Sequence, residues 1–102
     1  MNVITRKRIR DFIEKHPDAG TALDQWYRTA RKARWESPQD VRIIFPHADA
    51  VRVASGNIVT VFNVGGNKYR LVTAIHYNAQ RVYVLRLLTH AEYDKDLWKD
   101  QL

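Results

Sequence analysis

The chain has 102 residues, of which 45% are hydrophobic and 27% charged, values typical of one folded domain rather than a disordered tail or a fibre. It has no cysteine, which excludes disulfides, thiol catalysis and thiolate zinc sites and gives no reason to expect an oxidising compartment. No apolar run approaches the roughly 18 residues of a membrane span. We therefore predict a single domain over residues 1–102 that works in the cytoplasm without a membrane partner.

The charge is strongly basic. Seventeen Lys and Arg against 11 Asp and Glu leave a formal net charge of +6, which favours a polyanionic partner. Residues 50–91 contain no carboxylate at all. That segment is locally cationic because it carries Arg52, Lys68, Arg70, Arg81 and Arg86.

The first predicted helix is RKRIRDFIEK, which begins after Thr5 and follows a short apolar opening that is a candidate strand. Ile9, Phe12 and Ile13 recur with the spacing of one helix face. Pro17 ends the helix because proline disfavours a helical residue before it. The remaining faces are basic and carry Arg6, Lys7, Arg8 and Arg10.

A second helix is predicted to follow at once and to pair with the first as an antiparallel hairpin. Thr21 and Asp24 resemble the capping box of a helix start. The apolar stripe that begins at Leu23 includes Trp26 and Tyr27, which we place in the core rather than against nucleic-acid bases. Trp35 is assigned to the core as well.

A short helical turn is predicted next, running to Phe45. Ser37 is placed as its cap, Pro38 is at its first position and Asp40 is at its third. Pro46 then stops it.

From about Ala50 the pattern changes to that of an antiparallel meander. Its predicted strands are rich in Val, Ile, Tyr and Phe and are separated by turn-forming residues. Thr89 and Glu92 form a capping box for a terminal helix that reaches about Trp98. We therefore predict an α+β fold with helices layered on a curved sheet. The predicted strands are Ala50–Ala54, Ile58–Val64, Tyr69–Tyr77 and Arg81–Leu88.

Several familiar kinds of site are missing from the sequence. The four histidines do not pair at the spacings of a helical or strand-borne metal motif, so we expect no metal and no cofactor. Gly65-Gly66 lacks the further glycines of a phosphate-binding loop and is interpreted as a hairpin turn with positive φ. No serine elbow for acyl transfer is present.

The last two strands carry the strongest candidate site. If the turn Asn78-Ala79-Gln80 is a three-residue loop, Arg70 opposes Leu88 and Val72 opposes Arg86. Both arginines then lie diagonally on one face, where a phosphate fits between them. A two-residue loop separates them onto opposite faces, and the sequence leaves both registers open.

His90 is placed by the capping box in the first turn of the terminal helix, and Tyr93 follows one turn later on the same face. Together they offer a proton donor or acceptor and a phenol or stacking surface. The alternative interpretation is structural: His90 decorates a helix start, Tyr93 packs against the sheet, and the arginines are solvated strand charges.

The segment FNVGGNKYRLVTAIHYNAQRVYVLRLLTHAEYDK, from Phe62 to Lys95, resembles the HigB-type toxins of bacterial type II toxin-antitoxin modules, members of the RelE-like superfamily. The opening MNVIT and the segment SPQDVRIIFPHAD extend the resemblance to nearly the whole chain. It implies a RelE-like fold and a metal-independent endoribonuclease that cuts translated mRNA in the ribosomal A site. It also implies a HigA-type helix-turn-helix antitoxin as partner, with operator DNA bound only through that antitoxin.

The resemblance also implies roles for individual residues. Arg70 would stabilise the charge that develops when the ribose 2′-OH attacks the phosphate, His90 would be an acid or base, and Tyr93 would stack on a base or orient the sugar. Lys68 and Arg86 would bind phosphate. Independently of the resemblance, the basic charge favours a salt-dependent attraction to rRNA by the first helix, through Arg6, Lys7, Arg8 and Arg10. A non-catalytic RNA-binding or protein-binding module is the alternative function, and solvated charge is the alternative reading of the helix.

Overall fold

The computed structural model describes residues 1–4 and 6–102, so Thr5, the residue after which the first helix was predicted to begin, lies outside the described residues. The elements form an α+β arrangement of helices on a five-stranded sheet, which confirms the predicted fold class. In chain order they are β1 (Asn2–Ile4), α1 (Arg6–Lys15), a 3₁₀ helix (Pro17–Ala19), α2 (Gly20–Lys32), α3 (Pro38–Ile44), β2 (Asp49–Arg52), β3 (Ile58–Val64), β4 (Tyr69–His76), β5 (Arg81–Thr89), α4 (His90–Asp94) and a second 3₁₀ helix (Leu97–Gln101).

Helices α1 and α2 form the predicted antiparallel pair. At one end a Cβ added to Gly20 would lie 3.5 Å from Ile13 Cγ2, and at the other end the Arg6 guanidinium carbon lies 5.4 Å from the centre of the Tyr27 ring. The longest helix of the pair has 13 residues. Across the described chain, no helix combines the length and apolar character that a bilayer crossing requires.

The predicted cap of α2 is wrong. The helix begins at Gly20, and Ala19 precedes it without a side-chain cap. Because the 3₁₀ helix leads directly into α2, Thr21 lies inside the first turn, and Asp24 forms an ion pair with Arg28 at 2.9 Å instead.

The start of α3 is where the prediction placed it, with Ser37 at the cap, Pro38 first and Asp40 third. Ser37 occupies the cap position but makes no side-chain cap hydrogen bond. The Asp40 carboxylate closes this turn by accepting a hydrogen bond from the Glu36 backbone N–H at 2.9 Å.

The sheet has the strand order β1-β5-β4-β3-β2. Strands β2 to β5 form the predicted antiparallel meander, whereas β1 pairs with β5 in parallel and makes the sheet mixed. The β3–β4 turn contains Gly65 and Gly66 with φ of 64° and 68°, as the turn interpretation required.

Both faces of the sheet are covered. The face toward α1 and α2 packs around Trp26, Trp35 and Phe62, which confirms that both tryptophans belong to the core. The opposite face, called here the back face, packs a smaller cluster that includes Val72, Leu88 and Trp98.

The terminal helix is shorter than predicted. Helix α4 ends at Asp94, and Asp96 adopts the left-handed conformation with φ of 61°. This residue breaks the helix and redirects the chain into the second 3₁₀ helix, whose Trp98 side chain is buried on the back face. The prediction that this helix reaches about Trp98 was therefore too long by about one turn.

Candidate active site

Arg70 and Arg86 lie on the back face, in the diagonal register that the sequence left open. Arg70 pairs with Leu88, and Val72 pairs with Arg86. The cause differs from the three-residue loop considered above. His76 pairs with Arg81, so the turn spans residues 77–80, and a bulge in β5 then shifts the register by one residue.

The Arg70 side chain is fixed by the turn before its own strand. Its Nη1 donates hydrogen bonds to the carbonyl oxygens of Asn67 at 3.1 Å and Tyr69 at 3.2 Å. Its guanidinium carbon lies 5.7 Å from the centre of the Tyr93 ring. These contacts hold a half-buried guanidinium in one place, as recognition of a phosphate requires.

The Tyr93 ring packs against Trp98. The two rings are stacked with centroids 5.3 Å apart and an angle of 21° between their planes, and Trp98 Nε1 donates to the Tyr93 carbonyl oxygen at 3.1 Å. Burial raises the pKa of the Tyr93 phenol. The phenol is therefore protonated at neutral pH and available as a hydrogen-bond donor.

Arg86 shares a backbone acceptor with an arginine from α1. Arg86 Nη1 donates to the Leu85 carbonyl oxygen at 2.9 Å, and Arg8 Nη1 donates to the same oxygen at 3.2 Å. Arg8 Nη1 also donates to the Val84 carbonyl oxygen at 3.3 Å. Helix α1 packs on the face of the sheet opposite the back face, but its Arg8 side chain reaches the carbonyl oxygens beside Arg86.

Lys68 is bound to a carboxylate. Its ammonium forms an ion pair with Asp18 of the first 3₁₀ helix, which also accepts a hydrogen bond from the Tyr69 hydroxyl at 2.7 Å. The hydrogen bonds from Lys68 and Tyr69 lower the pKa of Asp18, and the bond to Asp18 raises the pKa of Lys68. Lys68 is a cation, but it must leave Asp18 in order to bind a phosphate.

His90 begins α4 at the same end of the sheet. The predicted capping box is present, with Thr89 Oγ1 accepting from the Glu92 N–H and Glu92 accepting from the Thr89 N–H. This bond from the Thr89 N–H is the main cause of the lowered pKa of Glu92. His90 is exposed, its backbone N–H donates to the Lys68 carbonyl oxygen, and its Nδ1 lies 2.9 Å from an Asp94 carboxylate oxygen.

Apart from Arg8, the basic residues of α1 do not join this group. Ile9 anchors α1 to the core on the opposite sheet face, and Lys7 and Arg10 are exposed. Arg6 lines a separate surface groove of about 550 Å³ between α1 and α2. The other groove residues are Asp24, Tyr27, Arg28, Arg31 and Lys32.

Three of these neighbours were not predicted from the sequence. Arg8 was grouped with the basic faces of α1, and His16 and Asp18, on either side of the helix-ending Pro17, were given no functional role. His16 Nδ1 lies 3.5 Å from the Tyr69 hydroxyl. All three residues reach β4 or β5 from distant positions in the chain, so no local pattern could reveal the contacts.

The site consists of arginine side chains, an aromatic ring and an imidazole. Among the residues that the structure describes, no group of three or more His, Cys, Asp or Glu is arranged to hold a metal ion. The chemistry that such a set can supply is phosphate binding by guanidinium, stacking by Tyr93 and proton transfer by His90.

The sequence is similar to one family of known proteins and to several of its members. The sequence model of the HigB toxin family, described as a RelE-like toxic component of a toxin-antitoxin system, matches residues 19–96. The chain is 34% identical over 94 residues to the mRNA interferase toxin HigB of Escherichia coli strain K12, covering 92% of this chain and 88% of the relative. It is 30% identical over 95 residues to the mRNA interferase HigB of Escherichia coli O6:H1, covering 93% and 90%.

Proposed function

The chain belongs to the HigB family of RelE-like toxins, and we propose that it is an mRNA interferase, an endoribonuclease that cuts mRNA on the ribosome. The observation that carries the proposal is the placement of Arg70, Arg86 and Tyr93 on one sheet face, with His90 at the adjoining strand end. The relatives described above are named as mRNA interferases, which supports the same activity.

The proposed reaction is an internal transfer at one phosphodiester. The ribose 2′-OH attacks the adjacent phosphorus and gives up its proton to a base, while the bond from phosphorus to the 5′-oxygen breaks and that oxygen gains a proton from an acid. The products are a 2′,3′-cyclic phosphate and a 5′-OH. No metal is needed to balance this chemistry.

Arg70 has the main electrostatic role. Negative charge grows on the nonbridging phosphate oxygens as the 2′-oxygen adds, and a prepositioned guanidinium stabilises this charge more than it stabilises the starting phosphate. The hydrogen bonds from Arg70 to Asn67 and Tyr69 fix its position before the substrate arrives. The guanidinium therefore does not have to be ordered during the reaction.

His90 carries one of the two proton transfers, and Tyr93 positions the nucleotide. The exposed imidazole is accessible to substrate, and Asp94 orients it through Nδ1. The half-buried Tyr93 ring packs against Trp98 and lies near the Arg70 guanidinium, and its exposed part offers a surface on which a base can stack. Lys68 adds a phosphate contact once RNA displaces Asp18.

The ribosome completes the site in this proposal. The site supplies few groups for holding a flexible RNA strand, and rRNA would orient the mRNA for in-line attack. The exposed cations Arg6, Lys7 and Arg10 supply a salt-dependent attraction to rRNA on another face of the protein. A HigA-type antitoxin would block the activity in the cytoplasm.

A translating-ribosome assay tests the proposal. Purified protein is added to ribosomes paused on an mRNA, and the new RNA ends are identified chemically. We expect a 2′,3′-cyclic phosphate, no cutting when the nucleotide 5′ to the cut carries a 2′-deoxyribose, and much slower cutting of the same RNA without ribosomes. A 3′-OH product, or cutting of the deoxy-substituted mRNA, would contradict the mechanism, and RNA binding without any cutting would favour the non-catalytic alternative.

A further inference from the structure

We propose that Arg8 and Arg86 together form a second phosphate site, which holds a backbone phosphate of the RNA strand next to the one that is cut. The inference rests on the proposed function, because it assigns a further contact to the same RNA. It gives Arg8 a specific phosphate site, whereas the sequence placed Arg8 only on a basic helix face, interpreted either as an RNA contact surface or as solvated charge.

The backbone explains why the two guanidinium groups meet. Strand β1 accompanies β5 only as far as Tyr83, and the bulge leaves Leu85 without a partner residue on β4. Arg8 covers the carbonyl oxygens at this point, and Arg86 turns back to the same Leu85 oxygen. The two Nη1 atoms are therefore within about 6 Å of each other.

The pair is not neutralised by the protein. Two guanidinium groups at this separation repel each other, and a carboxylate normally compensates such a pair. Within the described part of the chain, neither Arg8 nor Arg86 has an ion-pair partner. Each uses only Nη1 for its backbone contacts, so the Nε and Nη2 donors of both side chains are available to an anion.

The position of the pair favours an RNA strand as the source of the anion. Arg86 lies diagonally across the β4–β5 ladder from Arg70, a separation of about 7–8 Å between backbone positions. A strand whose reacting phosphate lies at Arg70 can thus place a neighbouring phosphate at Arg86 and Arg8. Two arginines on one phosphate also restrict the direction in which the strand runs.

The test measures binding apart from cutting. The probe is a short single-stranded RNA that carries one 2′-deoxyribose at the cut position, and its affinity is measured over a range of salt concentrations. We compare Arg8→Gln, Arg86→Gln and the double variant with Arg81→Gln, which removes an exposed arginine from the start of the same strand. Glutamine retains an N–H donor for the backbone carbonyls but removes the charge.

We expect each site variant to weaken binding about tenfold and to reduce the slope of log affinity against log salt by about 0.7. The double variant should lose less than the product of the two single effects, because both arginines hold one phosphate. Arg81→Gln should have the smaller effect of a distant charge. Equal losses for Arg8→Gln and Arg81→Gln, or fully multiplicative losses in the double variant, would overturn the shared site.

Two further measurements separate the possible causes of failure. Thermal unfolding checks that Arg8→Gln is folded, and Arg8→Lys, which keeps the charge without the fork, replaces it in the cycle if it is not. If wild-type protein cuts mRNA while Arg8→Gln and Arg86→Gln bind RNA normally, the second site is refuted and the nuclease stands. If both variants lose affinity but the wild-type protein never cuts, the second site stands and the nuclease is refuted.

Discussion

The guanidinium carbon of Arg70 lies 5.7 Å from the centre of the Tyr93 ring, which joins the second residue of strand β4 to the short helix after strand β5. Trp98 stacks behind Tyr93 and fills the back face. Packing on this face thus supports the ring that lies beside the arginine. Substitutions can therefore separate the structural role of this layer from its proposed catalytic role.

Arg70→Ala should reduce ribosome-dependent cutting by about 10²- to 10³-fold, because it removes the donor aimed at the developing phosphate charge. Arg70→Lys should recover little, since a lysine cannot reproduce the planar fork. Single-turnover rates on paused ribosomes measure both effects. Arg52→Ala, an exposed arginine on edge strand β2, is the matched control, and an equal loss in that variant would show that general charge rather than Arg70 is responsible.

Tyr93→Phe and Tyr93→Ala should differ in RNA binding. Phenylalanine retains the ring beside Arg70 and Trp98, so binding of the uncleavable RNA should change little. Alanine removes the stacking surface and should cost about 1–3 kcal/mol of binding free energy. If cutting falls equally in both variants while only Tyr93→Ala loses affinity, the hydroxyl contributes to the reaction in addition to the stacking by the ring.

His90→Ala should slow cutting by about 10²- to 10⁴-fold, the usual contribution of a general acid or base. Because His90 is exposed, its removal should leave the melting temperature close to that of the wild type. The pH dependence of the single-turnover rate should lose one limb in this variant. His47→Ala replaces another exposed histidine and serves as control, and an unchanged pH profile in His90→Ala would exclude proton transfer by His90.

Asp18→Asn should lower stability at neutral pH, because Asp18 binds both Lys68 and Tyr69. The pKa of Asp18 is lowered in the folded protein, so its contribution is complete above the unfolded value of about 3.9 and is lost as pH falls through the folded value. The melting temperatures of variant and wild type should therefore converge below about pH 4. A constant difference across this range would show that the carboxylate charge is not involved.

Asp24→Asn is the comparison for that experiment. Asp24 forms an exposed ion pair with Arg28 one helical turn away, a kind of pair that contributes little to stability. Its substitution should change the melting temperature less than Asp18→Asn does at neutral pH.

Local sequence patterns were sufficient for most of the fold. The spacing of Ile9, Phe12 and Ile13 marks α1, and the β5–α4 junction follows from the capping box of Thr89 and Glu92. These features depend on residues a few positions apart, for which the local backbone geometry alone determines which side chains come into contact. The cap of α2 was predicted wrongly because the 3₁₀ helix before it changes which residue lies at the helix boundary.

By itself, the sequence determined the basic charge, the α+β class and the presence of arginine, imidazole and phenol around the last hairpin. Only the tertiary structure decided that Arg70 and Arg86 share a face, that Asp18 forms an ion pair with Lys68, and that Arg8 binds the Leu85 carbonyl oxygen. The register depends on a bulge, and the other two contacts join residues far apart in the chain. Such relationships arise from how whole elements pack, because a side chain's neighbours across a sheet or between layers are set by the path of the backbone.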